Sequence, residues 1–150
     1  MSRTEVLKSL HGRECGITDK GNLAGNGQMI TKPAVAATIT VAAENTNVRA
    51  ISVVVKDING NAIDYVETVE VLVFTDATRT AFAATGGSTG IAVGANGALL
   101  ARVAKKDFIA TTEADGTLDL TWTDTGTEQV AIGIRLPNGH VVMSDAFANT

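Results

Sequence analysis

The sequence predicts an all-β fold, an antiparallel β-sandwich preceded by an extended N-terminal arm. Three observations carry that prediction. From residue 34 onward, apolar residues alternate with polar ones over short runs, and no helical period follows residue 33. Tight-turn pairs recur between the runs: Asn59-Gly60, Asn96-Gly97, Asp115-Gly116 and Asn138-Gly139. Before residue 34, Gly12, Gly16, Gly21, Gly25 and Gly27 break the chain every few residues and leave only isolated apolar side chains between them.

The arm, residues 1–33, is read in two parts. Residues 1–12 have the pattern of one short helix. Ser2 and Glu5 have capping-box spacing, Val6, Leu7 and Leu10 share a side, and Gly12 ends it. Such a helix is too short to be stable alone in water and needs a surface to dock on. Residues 12–32 read as extended, irregular chain carrying Ile17, Leu23, Met29 and Ile30 as spaced anchors. A segment of this kind can order in a groove on another subunit. Pro33 closes it.

The body, residues 34–150, begins with a short alternating run at 35–41. The run at 48–56 organises the rest, because Ile51, Val53 and Val55 alternate with Ala50, Ser52, Val54 and Lys56. Residues 66–75 follow, with Val69, Val71 and Val73 on one side and Glu70, Leu72 and Phe74 on the other. Both faces are partly apolar, which predicts a central strand or one covered by another subunit. Residues 76–98 are irregular, and the Gly-rich run at 85–90 reads as a flexible loop. Short runs at 99–103 and 107–112 flank Lys105-Lys106. Leu118, Leu120 and Trp122 give the cleanest alternation, and Val130, Ile132, Ile134 and Leu136 the next inward set. The closing strand is expected at 140–147. About seven short strands over this length suit an immunoglobulin-like sandwich.

Composition bounds the function. Hydrophobic residues make up 45% and aromatics 4% of the 150 residues, so the core must be built of Val, Ile, Leu and Ala. The net charge of −4 argues against nucleic-acid binding. Residues 1–33 hold five Lys/Arg against three acids (+2), and residues 34–150 hold seven against thirteen (−6), so arm and body differ in sign. The single cysteine, Cys15, permits no intrachain disulfide, which suits a reducing compartment. No apolar run is long enough for a membrane helix, and no membrane partner is expected.

No residues converge on catalysis. His11 and His140 are the only histidines and lie in different contexts, without the neighbours that a metal or a base would need. Asp57-Ile58-Asn59-Gly60-Asn61 begins like a calcium loop, but Thr68 stands where the closing carboxylate belongs, and a hairpin turn explains the same residues. Gly86-Gly87-Ser88-Thr89-Gly90 leads into Ile91-Ala92-Val93 rather than a helix carrying Lys, so it is no phosphate cradle. We therefore expect no enzyme, metal or cofactor.

Five stretches taken together resemble the immunoglobulin-like structural proteins of tailed bacteriophages. They are 57–61, 69–73, 92–97, 108–120 and the run Val130-Ala131-Ile132-Gly133-Ile134-Arg135-Leu136-Pro137-Asn138-Gly139. The group most similar is the head decoration, or cement, proteins, and the resemblance covers about residues 48–147. It implies a virion protein made in the host cytoplasm and bound outside a capsid. The partners it implies are the major capsid protein and further copies of itself, often as a trimer. On that reading the contact residues are Arg3, Leu7, Leu10, Arg13, Ile17, Leu23, Met29, Ile30, Leu72 and Phe74. An adhesion or carbohydrate-binding module of a phage tail or head fibre is the alternative.

Overall fold

The computed structural model describes residues 32 to 150, together with the short strands β1 (Cys15–Ile17), β2 (Leu23–Gly25) and β3 (Gln28–Met29). The helix expected over 1–12 lies outside the described residues. The chain divides into two compact units, Met1–Pro33 and Ala34–Thr150.

The first unit corrects the expectation of an irregular arm. It contains a three-stranded antiparallel meander in the order β1-β2-β3. Ile17 pairs with Leu23, and Ala24 with Met29. Residues that look isolated along the chain come opposite one another on neighbouring strands, which linear spacing does not reveal. The glycines do not prevent pairing: Gly16 opposes Ala24, and Gly25 opposes Cys15.

The second unit is an immunoglobulin-like sandwich of nine strands. They are β4 (Ala36–Val41), β5 (Val48–Lys56), β6 (Thr68–Phe74), β7 (Gly90–Val93), β8 (Ala98–Val103), β9 (Asp107–Thr111), β10 (Thr117–Thr123), β11 (Ala131–Arg135) and β12 (Val141–Met143). One sheet has the order β4-β5-β10-β7 and the other β12-β11-β6-β9-β8, with all neighbours antiparallel. Four strands against five is the sheet membership of a variable-type immunoglobulin domain. The path differs in one place. After β6 the chain crosses to the far edge of the four-stranded sheet as β7, then returns to form the β8–β9 hairpin.

The core lies between the sheets and uses the predicted inward sets. Ile51, Val53 and Val55 from β5, Val69, Val71 and Val73 from β6, Leu118, Leu120 and Trp122 from β10, and Ile132 and Ile134 from β11 are all buried. Such side chains contribute roughly 1.5–3 kcal/mol each when fully removed from water, so small aliphatics suffice for a core of this width. Trp122 is the largest buried side chain, and Phe147 meets its ring edge-on at 5.3 Å. The C-terminus is tied down beside it. Buried Asn149 donates to the carbonyls of Asn47 and Asp124, and Arg49 donates to the Ala148 carbonyl at 2.6 Å.

Three further expectations are corrected. The irregular stretch contains a strand, β7, whose Ile91 sits opposite Trp122 in β10. The Gly-rich loop is pinned, not free. The Glu128 carboxylate accepts from the Thr85 hydroxyl and from the amides of Thr85 and Gly87. Asp124 accepts from the Ser88 amide, Lys105 Nζ donates to the Gly87 and Ser88 carbonyls, and Trp122 Nε1 donates to the Gly86 carbonyl. The closing strand is also shorter than the expected 140–147. It ends at Met143; Ser144 still exchanges hydrogen bonds with Ile132, and a separate bridge joins Phe147 to Val130.

Candidate interaction face

Strand β6 positions the face. It is central, paired to β11 on one side and β9 on the other, so only its side-chain faces are available. Val69, Val71 and Val73 point into the core. Period-two alternation then forces Glu70, Leu72 and Phe74 onto the outer surface of the five-stranded sheet, where all three are half-buried.

What half-buries Phe74 is the arrangement around Gly133. This glycine of β11 sits opposite Leu72 and also pairs with Met143. A methyl group at Gly133 would lie 2.8 Å from Phe74 Cε2, 3.0 Å from Met143 Sδ and 3.1 Å from Val141 Cγ1. Three side chains therefore lean into the space that the glycine leaves. Phe82 then stacks on Phe74, with ring centroids 5.3 Å apart and the planes 5° from parallel. Phe82 remains 48% exposed. The result is an apolar cluster of Leu72, Phe74, Phe82, Val141 and Met143 on the solvent side of the sheet.

A charged group borders it. Glu70 accepts from Arg102 at 2.8 Å and from Arg135 at 3.1 Å, and Arg102 also reaches Asp107 at 2.6 Å. Two cations and two anions balance. The Arg102 hydrogen bond, with that of Arg135, holds the Glu70 carboxyl below its ordinary pKa against the opposing effect of burial. Asp107, then Glu70, hold the Arg102 guanidinium above its ordinary value. Beside this network a shallow hollow of about 310 Å³ opens over Thr68, Ile109, Pro137 and Gly139. An apolar centre with a neutralised polar border is the make-up of a protein-binding surface.

The opposite sheet presents a different face. Thr38, Thr40, Ala50 and Ser52 are exposed on β4 and β5, beside half-buried Asp119 and Thr121 on β10. Asn96 Nδ2 donates to Asp119 at 2.6 Å. A hollow of about 400 Å³ lies over Ala50, Ser52 and Thr121, among small side chains without an aromatic anchor.

Of the residues expected to make contacts, Leu72 and Phe74 are brought together on the apolar face. Ile17 lies in β1, Leu23 in β2 and Met29 in β3. Arg3, Leu7, Leu10, Arg13 and Ile30 lie outside the described residues. Sequence reasoning missed Phe82, Val141 and Met143. Val141 and Met143 alternate visibly around Val142 and could have been assigned to the outer side. Phe82 sits in the irregular stretch, where no period exists to read.

The other candidates have structural roles. Asp57 Oδ1 accepts from the amides of Asn59 and Asn61, which is the work of a hairpin turn. His140 is exposed after the Asn138-Gly139 turn. Among the described residues, no group of three or more His, Cys, Asp and Glu is placed to hold a metal.

No family model matches the chain, and no curated protein matches it. Among solved structures it is similar to the D00-D0 domain of Intimin, with 14% identity and a TM-score of 0.44. The likeness covers 91% of this chain, which spans only 61% of that structure.

Proposed function

We propose that this chain is a head decoration protein of a tailed bacteriophage. On this reading it attaches to the outside of the capsid through the outer face of its five-stranded sheet, binds without catalysis, and acts as a homo-oligomer. The observation that carries the reading is the cluster of Leu72, Phe74 and Phe82. These side chains face solvent on a sheet whose core is complete on its other side, so the fold itself does not require them there. The resemblance of the five sequence stretches to head decoration proteins supplies the choice of partner.

The physical account is short. The phenyl rings and Met143 supply the desolvated centre of the contact, where most binding energy concentrates. The Glu70, Arg102, Arg135 and Asp107 network borders it without net charge. Many copies on one shell then add by multivalency, so a weak single contact still holds.

The test is co-sedimentation of the full chain with expanded capsids that lack it. Phe82→Ser is expected to weaken binding at least about tenfold, the cost of a truncated interface anchor. Its melting temperature should stay within a few degrees of the parent's, because Phe82 is half-exposed. Unchanged capsid binding by Phe82→Ser and Leu72→Ser together would overturn the reading. Retention on glycans without affinity for capsids would favour the adhesion module instead.

A further inference from the structure

We propose that β8 is a self-association edge, pairing antiparallel with β8 of a second copy about a two-fold axis at Leu100. This goes beyond the attachment reading and does not depend on it.

Among the described residues β8 pairs with β9 alone, so its other side offers the backbone groups of an open edge. Open edges recruit strands unless protected by shortness, charge, proline or a bulge. Two of the other three edges of the sandwich are guarded by shortness, and the third is polar. β12 has three residues and β7 four. β4 follows Pro33 and exposes Thr38 and Thr40. β8 has six residues, Ala-Leu-Leu-Ala-Arg-Val, and no proline. Its one irregularity falls between Ala101 and Val103, which leaves Ala98 to Ala101 regular. Its one charge, Arg102, is turned back onto Glu70 and Asp107 of its own chain. That removes the usual electrostatic guard from the edge.

The side chains select the partner. Leu100 lies opposite Ile109 on the outer face and is 68% exposed, the highest value among the exposed large hydrophobics. In an antiparallel pair with the axis perpendicular to the sheet, directly opposed residues share a face. Centring the axis on Leu100 places Leu100 against its own copy and Leu99 against Ala101, all within the regular stretch. No like charges meet, because the guanidinium is already neutralised. The most exposed leucine covers itself, and the two five-stranded sheets become one of ten strands. A second copy of this chain satisfies all of these conditions at once, and the isologous contact closes at two copies.

The experiment measures copy number and address together. Light scattering of the full chain should rise from one copy toward two with concentration. Leu100→Lys sets two like charges opposite each other and should weaken association at least about tenfold. In a Cys15→Ser background, Leu100→Cys should form a disulfide-linked dimer under mild oxidation, since one residue then faces its own copy. Thr38→Cys on β4 should not. Overturning results are a monomer at every concentration, association that survives Leu100→Lys, or equal cross-linking through Thr38→Cys. A three-copy particle in which Leu100→Cys does not cross-link would also sink it. Phe82→Ser separates the two proposals, because it should impair capsid binding and leave self-pairing intact.

Discussion

Gly87 shows how little room the Trp122 end of the sandwich leaves. Its φ is +91°, and an added Cβ would stand 2.7 Å from the Thr123 carbonyl oxygen and 2.8 Å from Trp122 Nε1. Gly139 has a similar φ of +84° with open space around it. The pair separates backbone strain from crowding. Gly139→Ala should cost about 1–2 kcal/mol, the left-handed penalty alone. Gly87→Ala should cost roughly 1–3 kcal/mol more, because Trp122 or the β10 backbone must shift. Urea unfolding of both variants checks this, and equal costs would contradict the crowding. Glu128, which grips the same loop, makes stability depend on pH. Burial pushes its carboxyl up, but the Thr85 hydroxyl and the Thr85 and Gly87 amides outweigh burial and hold it below the ordinary value. A depressed folded pKa gives stability that is present above the ordinary carboxylate range and is lost as pH falls through the folded value. Glu128→Gln should therefore be less stable at neutral pH, with a shallower loss on acidification, and should converge with the parent in acid. Parallel urea-midpoint curves across that range would contradict the clamp. Some acid loss should remain in the variant, since Glu70 is also held low by Arg102.

At the scale of single strands, alternation decides which side chain matters to the fold. Leu120 and Thr121 are neighbours on β10, one buried at 1% exposure and the other on the outer surface. Leu120→Ala should cost about 2–5 kcal/mol by opening a cavity. Thr121→Ala should cost about 0.5 kcal/mol or less. Thermal or urea melts of the two variants check the sidedness of the strand directly. The same alternation explains what was legible beforehand. β5, β6, β10 and β11 carry four or more alternating positions each, and their inward sets were read correctly. β7 was not readable, because it has four residues, only Ile91 of them is a buried apolar side chain, and Val93 is 41% exposed. Its existence rests on pairing with β10, not on a pattern of its own. The Gly-rich loop was misread for a related reason. Its composition suggests freedom, while its anchors Lys105, Asp124 and Glu128 lie 17 to 43 residues further along. Leu72 and Phe74 could be singled out as a second apolar face of one strand. Their partner Phe82 could not, since stacking across a loop leaves no trace in spacing.

The whole body is held by pairings between distant parts of the chain. β5 pairs with β10, setting Val53 against Leu118, and β6 pairs with β11, setting Val71 against Ile134. Neither central pair can form before a long loop closes, and loop closure costs entropy before the contacts return it. Sandwiches dominated by such pairings fold in milliseconds to seconds, where helical bundles of similar size take microseconds to milliseconds. This protein carries its own reporter. Trp122 is the only tryptophan, is fully buried, and lies on the strand that joins β5 to β7. Its environment is complete only when β10 has both neighbours and the Gly86 carbonyl is in place for the indole. Refolding from urea followed by Trp122 fluorescence should therefore recover the native signal on the millisecond-to-second scale. Gly87→Ala should mainly speed unfolding if the loop clamp closes after the central pairs, because contacts formed after the rate-limiting barrier change the unfolding limb of the chevron. Native tryptophan emission regained within microseconds, or a Gly87→Ala effect confined to the folding limb, would mean that the clamp and its tryptophan assemble first and that the distant pairings follow.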